Sequence, residues 1–341
     1  AGEDPYPAPA PWYPIVNGTL SSEIVASGMI GYPYKAKVWL NHMGNFLYGI
    51  AGMRNALYED LCDPKKLPLI VSIEPFINET SAIADYIVPD TVTYESWGVS
   101  APWADVIAKT STVRWPIIQP KVARTAEDQP ISLESFLIAV AKKLEMPGFG
   151  DAAIGVPNSD TRLGLHSAPD FYLRGFANIA YAMKKPVTDA TDEDISLTGL
   201  SPYLDIVKQR VSDEEWRKVA TVMTRGGRFD RVEDAWNDEK GYLKHMHDFM
   251  LPIWDEKLFK SKHSYTGEHN SGCPTWYPTR LADGSAMRSH YSEQDWPFLM
   301  SSYKSNLMSS MSIAVDRLRQ VHPHNPISIN TADAKRLGIR N

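Results

Sequence analysis

Between residues 35 and 98 the chain alternates between runs of strand length and segments with helical spacing, and this constrains its fold more than any other feature. "KAKVWLNHMGN" (35–45) reads as a strand running into a glycine-containing loop, and "FLYGIAGMRNALYEDL" carries apolar residues at helical intervals. "LPLIVSIEPF" is a second apolar run, Asn78 can cap a helix over Glu79 to Asp85, and "YIV" re-enters a strand that Pro89 stops. Strand, helix and strand in this order predict a parallel sheet covered by helices. Ligands of such sheets sit beyond the carboxyl ends of the strands, here "NHMGN" and "IEPFIN". Glu74, Glu79, Asp85 and Asp90 all fall in or beside these turns. Either they cap helices, or something polar lies above the sheet.

The 341 residues allow two or more domains, and a hydrophobic fraction of 43% supports a sizeable core. A net charge of −6 argues against a general nucleic-acid surface. No apolar run approaches the roughly 18–20 residues of a membrane span. Cys62 and Cys273 are the only cysteines, with no CxxC pair to suggest a local iron–sulfur or zinc site. "PYPAPAPWYP" favours extended backbone, so residues 1–34 read as an extended arm. At the other end "NPISINTADAKRLGIRN" reads as a strand, a helix capped by Thr331 and a stop at Gly338. A strand–helix unit ending there is expected to be cut within a domain, which makes the chain a fragment.

Further along, Val113 to Thr125 is expected to be extended. "SLESFLIAVAKKLEMPGFG" is the clearest helix, capped by Ser132, with Leu133, Phe136, Leu137, Val140, Ala141 and Leu144 on one face. Another helix is expected near "PDFYLRGFANIAYAM", and "SDEEWRKVATVMTRGG" carries a capping box with Ser212 at the N-cap and Glu215 three residues later. Residues 226–295 are poorly periodic, and no internal repeat is present.

Several short motifs weigh little. "GFGDAA" imitates a dinucleotide fingerprint but follows a helix rather than a strand. "HMH" (His245 to His247) and "HPH" (His322 to His324) have no third ligand at a metal-site spacing. The "NET" sequon at Asn78 falls in a turn expected to be buried, and "NGT" at Asn17 is the second match. "LMSSYKSNLMSSMS" (299–312) gathers serines, a tyrosine and a lysine around an apolar strand. It suits either a hydroxyl-lined cradle for an anionic ligand or a serine-rich edge.

"SIEPFINETSAIADYIVPDTVTYESWG", "KVWLNHMGNFLYG" and "FLMSSYKSNLMSSMS…NPISINTADAKRLGI" together resemble the catalytic subunits of the dimethyl sulfoxide reductase family of molybdopterin oxidoreductases. Glu74, Phe76, Glu79, Thr80, Ala84, Asp85, Pro89 and Glu95 fill the family's places. The run "INETSAIADYIVPDTVTYESWG…APWA", with "SLESFLIAVAKKL…PGFG" and "EEWRKVA…RGGRF", is most similar to the tetrathionate-reducing subgroup. Polysulfide, thiosulfate and arsenate reducers are the neighbouring possibilities. A non-catalytic α/β binding module is the alternative from another class.

The resemblance implies an α/β fold: a Rossmann-like parallel sheet with flanking helices over 35–290, with subgroup-specific loops, then the start of a C-terminal β-barrel cofactor-binding domain at 291–341. It implies molybdenum held by two molybdopterin guanine dinucleotides, for which this chain would supply part of the bed. Asn45 and Glu74 would meet a guanosine end, with Ser96 nearby. Tyr303, Lys304, Ser309, Ser310 and Ser312 would face pterin or pyrophosphate. Arg225 and Arg228 in "RGGRF" would guide a dianionic sulfur oxyanion, or else pair on the surface. The molybdenum ligand and a 4Fe-4S cluster would lie in an N-terminal part of the parent subunit that this chain does not include. The expected partners are the rest of the subunit, an electron-transfer iron–sulfur subunit and a membrane anchor subunit. The expected location is periplasmic or on the extracytoplasmic face of the membrane. Catalytic residues are not identified, and this chain alone is expected to be inactive.

Overall fold

The structure is a computed structural model. It describes residues 35–50, 52–100, 108–156, 160–239, 253–260, 285–301 and 315–340, with shorter stretches between 12 and 31, at 241–243 and between 262 and 313. Most of the expected arm at 1–34 lies outside the described residues, as do His245, His247 and Asn17.

Val38–His42, Leu69–Glu74 and Tyr86–Pro89 form a three-stranded parallel sheet with Leu69–Glu74 in the centre. The central strand is a near-continuous apolar run and is buried from Ile70 to Glu74, as parallel strands usually are. The first crossover holds two helices, Phe46–Gly49 and Met53–Leu61, where the periodicity predicts one. Gly52 divides them with φ at +78°, a conformation open to glycine. Leu47, Met53 and Leu61 bury against Leu67 and Ile70, with Trp39 packed alongside. The helix expected over Glu79 to Asp85 contracts to a 3-10 turn at Ser81–Ile83. Asn78 still caps it, since its Oδ1 accepts from the backbone N–H groups of Thr80 and Ser81, both at 3.0 Å. The turn ends early because the Asp85 N–H bonds to the Ile70 carbonyl, which returns the chain to the sheet.

A second core lies against an antiparallel sheet of Gly98–Ser100, Thr110–Arg114 and Gly227–Phe229, with Thr110–Arg114 in the middle. The segment expected to be extended from Val113 therefore starts as a strand, which ends at Arg114. Helices Ala168–Ala180, Asp192–Leu197, Leu204–Arg210 and Trp216–Thr224 pack here, with Leu173, Phe176, Val207, Val219 and Val222 fully buried. Helix Trp216–Thr224 starts later than its capping box predicts, with Glu215 rather than Ser212 at the N-cap. Glu215 accepts from the Ser212 N–H at 3.0 Å and grips both terminal nitrogens of Arg174, at 2.9 and 2.5 Å. Burial is overcome by that guanidinium, which holds the Glu215 carboxyl below its ordinary range, helped by the Ser212 backbone.

Ser132 caps Leu133–Lys143 as expected. The apolar face is only partly covered, however: Leu137, Val140 and Leu144 are exposed, while Ser135 and Ala141 are buried. "GFGDAA" leads into a hairpin of Gly150–Gly155 and Arg162–Leu165, not into a helix. Among the described residues of 291–341 there is no strand; the elements are helices Asp316–Val321 and Thr331–Arg336. The strands expected in the serine-rich segment and at "NPISIN" are therefore absent from those residues. A strand needs a neighbour to pair with, and Pro323 and Pro326 lack a backbone donor. The last helix is capped by Asn330, whose Oδ1 accepts from Ala332 N–H at 2.9 Å, rather than by Thr331, and Gly338 follows it with φ at +69°. The described fold is thus mixed α/β, with a parallel three-stranded sheet and flanking helices. No described helix is long and apolar enough to cross a membrane.

Candidate functional site at the carboxyl edge of the parallel sheet

The three parallel strands end together, bringing His42, Glu74 and Pro89 to one edge, where open α/β sheets bind ligands. The polar residues of that edge form several hydrogen-bonded groups. Asn41 and Glu74 lie on the face covered by the crossover helices. The Asn41 Nδ2 donates to the Gly44 carbonyl at 2.8 Å, to Ser72 Oγ at 3.0 Å and to Glu74 Oε1 at 3.2 Å. The Gly44 N–H donates to the same Glu74 oxygen at 2.8 Å. A side chain at Gly44 would start 2.6 Å from Asn41 Oδ1, so this close approach requires glycine. Burial raises the Glu74 carboxyl above its ordinary value, and the Gly44 N–H, His42 and Asn78 offset this only in part.

Asn45 fastens the next stretch. Its Nδ2 donates to Glu79 Oε2 at 2.6 Å, and its Oδ1 accepts from the Thr80 hydroxyl at 3.0 Å. The Thr80 hydroxyl oxygen accepts from the Leu47 N–H at 3.0 Å. Asn45 and Glu74 are therefore brought together at the edge, both buried, and both hold the loops that follow the first two strands. Asp85 accepts from the Ile70 N–H at 2.8 Å. Asp90 faces His42 Nε2 at 3.0 Å and accepts at Oδ1 from the N–H groups of Thr91 at 2.8 Å and Leu133 at 3.1 Å. It thereby ties the sheet edge to the start of the Leu133–Lys143 helix.

Ser96 lies beyond the third strand and accepts from Arg114 Nε at 3.0 Å. Beside it is a cleft of about 380 Å³ lined by Ser96, Glu95, Arg124, Ser132, Glu134 and Arg210 among others. Glu95 accepts from the Val92 and Lys121 N–H groups, at 3.2 and 3.1 Å. Glu134 accepts from the Tyr172 hydroxyl at 2.8 Å, and burial, with Glu134 adding to it, pushes that hydroxyl well up.

The C-terminal residues stand apart. Tyr303 is exposed; Ser309 and Ser312 hydrogen-bond each other, with the Ser309 N–H donating to Ser312 Oγ at 2.9 Å. No described hydrogen bond carries these residues to the sheet edge. Lys304 and Ser310 lie outside the described residues. Arg225 is exposed at the end of Trp216–Thr224. Arg228 is committed elsewhere: its Nη1 donates to the carbonyls of Ile179, Ala180 and Ala182 at 3.2, 3.3 and 3.1 Å, closing the end of Ala168–Ala180. No cluster of three or more His, Cys, Asp or Glu side chains that could hold a metal ion is present among the described residues.

The sequence reading missed Asn41 and Arg114. The signal for Asn41 was a lone polar residue inside the apolar strand "VWLNH". Arg114 ends a strand with nothing local to mark its partner.

The chain matches no family model. The A subunit of tetrathionate reductase from Salmonella typhimurium is 46% identical over 339 residues, covering 99% of this chain and 33% of that protein. The protein of the same name from Archaeoglobus fulgidus is 35% identical over 368 residues, covering 99% of this chain and 32% of its own length. The A subunit of selenate reductase from Mesobacillus selenatarsenatis is 30% identical over 351 residues, 98% of this chain and 32% of its own. The chain thus spans about a third of the length of the curated relatives it matches. Similarity is sustained along nearly the whole chain, which is thus similar to one third of the tetrathionate reductase A subunit, in keeping with its resemblance to the molybdopterin oxidoreductases.

Proposed function

We propose that the chain is part of a molybdenum-dependent reductase subunit that converts tetrathionate to thiosulfate, and that it forms part of the bed for a bis-molybdopterin guanine dinucleotide cofactor. The observation that carries the substrate is the identity of 46% to a tetrathionate reductase A subunit, against 30% to a selenate reductase A subunit. The chemistry supplied by the bound cofactor would be two-electron reduction, which splits the central S–S bond of tetrathionate into two thiosulfates.

The sheet edge fits a polar group that brings hydrogen-bond donors. Asn41 Oδ1, an acceptor, and Asn78 Nδ2, a donor, are both buried there without a hydrogen-bond partner. In this reading the guanosine end meets the loop carrying Gly44 and Asn45. Glu74 shapes that loop through the Gly44 N–H, and its carboxylate adds a charge-assisted acceptor at the edge. Ser96, oriented by Arg114, and Tyr303, Ser309 and Ser312 complete the proposed bed. Arg225 is the remaining cation for drawing in a dianion; Arg228 serves the helix end.

The finer architecture belongs to the same proposal: a Rossmann-like domain around the parallel sheet, and residues 291–341 leading into a β-barrel domain. So do a 4Fe-4S cluster elsewhere in the parent subunit, iron–sulfur and membrane anchor partner subunits, and a periplasmic location. The test is reoxidation of a reduced viologen dye by the purified full-length subunit with tetrathionate, thiosulfate, polysulfide, arsenate and selenate in turn. Tetrathionate should turn over fastest and release thiosulfate. Faster turnover of any other acceptor would reassign the substrate.

A further inference from the structure

At about 380 Å³ the cleft beside Ser96 is at the small end of ligand pockets, with room for a compact ligand rather than a dinucleotide. Its carboxylates are filled while several of its donors are open. Three carboxylates line it, and each is engaged within the chain. Glu95 accepts from the Val92 and Lys121 N–H groups, Glu134 from the Tyr172 and Ser132 hydroxyls, and Asp128 from Arg124 Nε at 2.5 Å. Arg210 also lines the cleft and sets its Nε against Asp170 Oδ1. The other Asp170 oxygen is taken by the N–H groups of His166 and Ser167 and by the Ser167 hydroxyl. The two Arg210 Nη groups have no partner among the described residues. The Tyr203 hydroxyl has none either. Its ring stands edge-on to Trp97 and Trp115, with centroids 6.2 and 5.0 Å away. Burial pushes that hydroxyl up, so it stays protonated and able to donate. Trp97, Pro116 and Ile206 give the cleft apolar walls, beside which a charge-assisted hydrogen bond is stronger than in water.

We propose that this cleft binds a sulfur oxyanion, with Arg210 and the Tyr203 hydroxyl gripping one sulfonate or sulfate end. A ligand that only accepts hydrogen bonds uses the open donors and leaves the filled carboxylates undisturbed. A guanidinium presents two N–H groups side by side to such a pair of oxygens. The choice of sulfur rests on the substrate reading above; the open donors ask only for an oxyanion.

The test is isothermal titration calorimetry of the oxidised full-length subunit, which has no electrons to pass to the ligand, with sodium tetrathionate, thiosulfate and sulfate in separate titrations. Tyr203→Phe keeps the ring packing and should weaken tetrathionate binding about tenfold, and Arg210→Gln at least as much, the scale of a hydrogen bond to a charged group. In turnover, Tyr203→Phe should raise the KM for tetrathionate by a similar factor and leave kcat within about twofold. Binding that stays within about twofold in Tyr203→Phe overturns the proposal, whether or not Arg210→Gln folds. A subunit that binds thiosulfate or sulfate through Tyr203, yet does not reduce tetrathionate, supports the oxyanion site and removes the substrate reading. The two therefore fail separately.

Discussion

Glu74 offers a sharp separation of architecture from charge. Replacing it with alanine removes the acceptor of the Gly44 N–H at 2.8 Å and one of three acceptors of Asn41 Nδ2. Asn41 keeps Gly44 and Ser72, so most of the cost falls on the Gly44 donor. A buried donor left unpaired costs about 1–3 kcal/mol, and about 2 kcal/mol fits a partly buried amide. At 1.4 kcal/mol per decade this becomes roughly 30-fold faster hydrogen exchange at Gly44. The assay is exchange by mass spectrometry on the peptide containing Gly44 in the full-length subunit. Glu74→Gln keeps a carbonyl acceptor and sheds the cost of burying a charge, so its exchange should change less than about threefold. The pH sign follows from burial. The folded carboxyl holds its proton more tightly than the ordinary value of 4.5, so the loop is most stable below that value. It loses stability as pH rises through the raised value, and the glutamine variant should flatten this slope. Unchanged exchange in Glu74→Ala, or equal damage from both variants, would refute the reasoning.

Other substitutions probe the remaining contacts. Glu215→Ala removes the partner of Arg174 in a part-buried pair and should cost about 1.5–3 kcal/mol, the range for hydrogen bonds to a charged group, read as faster exchange in Ala168–Ala180. Since the Glu215 carboxyl is depressed, its contribution is present above the ordinary value of 4.5 and is lost as pH falls through the lowered one. An acid-insensitive wild-type helix pair would count against that sign. Asp90→Ala removes the acceptor of Leu133 N–H and should loosen the first turn of Leu133–Lys143 by about 1 kcal/mol, while Asp90→Asn should retain most of it. Exchange in the peptide 131–136 distinguishes the two. Arg228→Met should open the end of Ala168–Ala180 yet leave the KM for tetrathionate within about threefold, because three carbonyls already occupy its Nη1. A tenfold rise in KM with unchanged exchange would return Arg228 to the substrate path.

What the sequence shows well is what local pattern controls. The alternation over 35–89 predicts the parallel strands, and Ser132 and Asn78 act as the caps their positions suggest. What it hides depends on residues far apart in the chain. Asn41 and Glu74 meet across 33 positions, and Arg228 closes a helix end 46 to 49 residues earlier. No spacing rule announces either. Helix lengths suffer for the same reason: the turn at Ser81–Ile83 is cut short by a hydrogen bond to Ile70 in the central strand. The serine-rich segment and "NPISIN" carry strand-like composition, but strand formation needs a pairing neighbour, which composition does not supply. The carboxylates of the opening region turn out to fasten loops, cap helices and orient neighbours. That arrangement still places an unpartnered acceptor, Asn41 Oδ1, at the edge where a ligand would lie.

The most direct measurement is the molybdenum and guanine nucleotide content of the purified full-length subunit. The account predicts one molybdenum with two guanine nucleotides per subunit. A folded subunit that contains neither would contradict it.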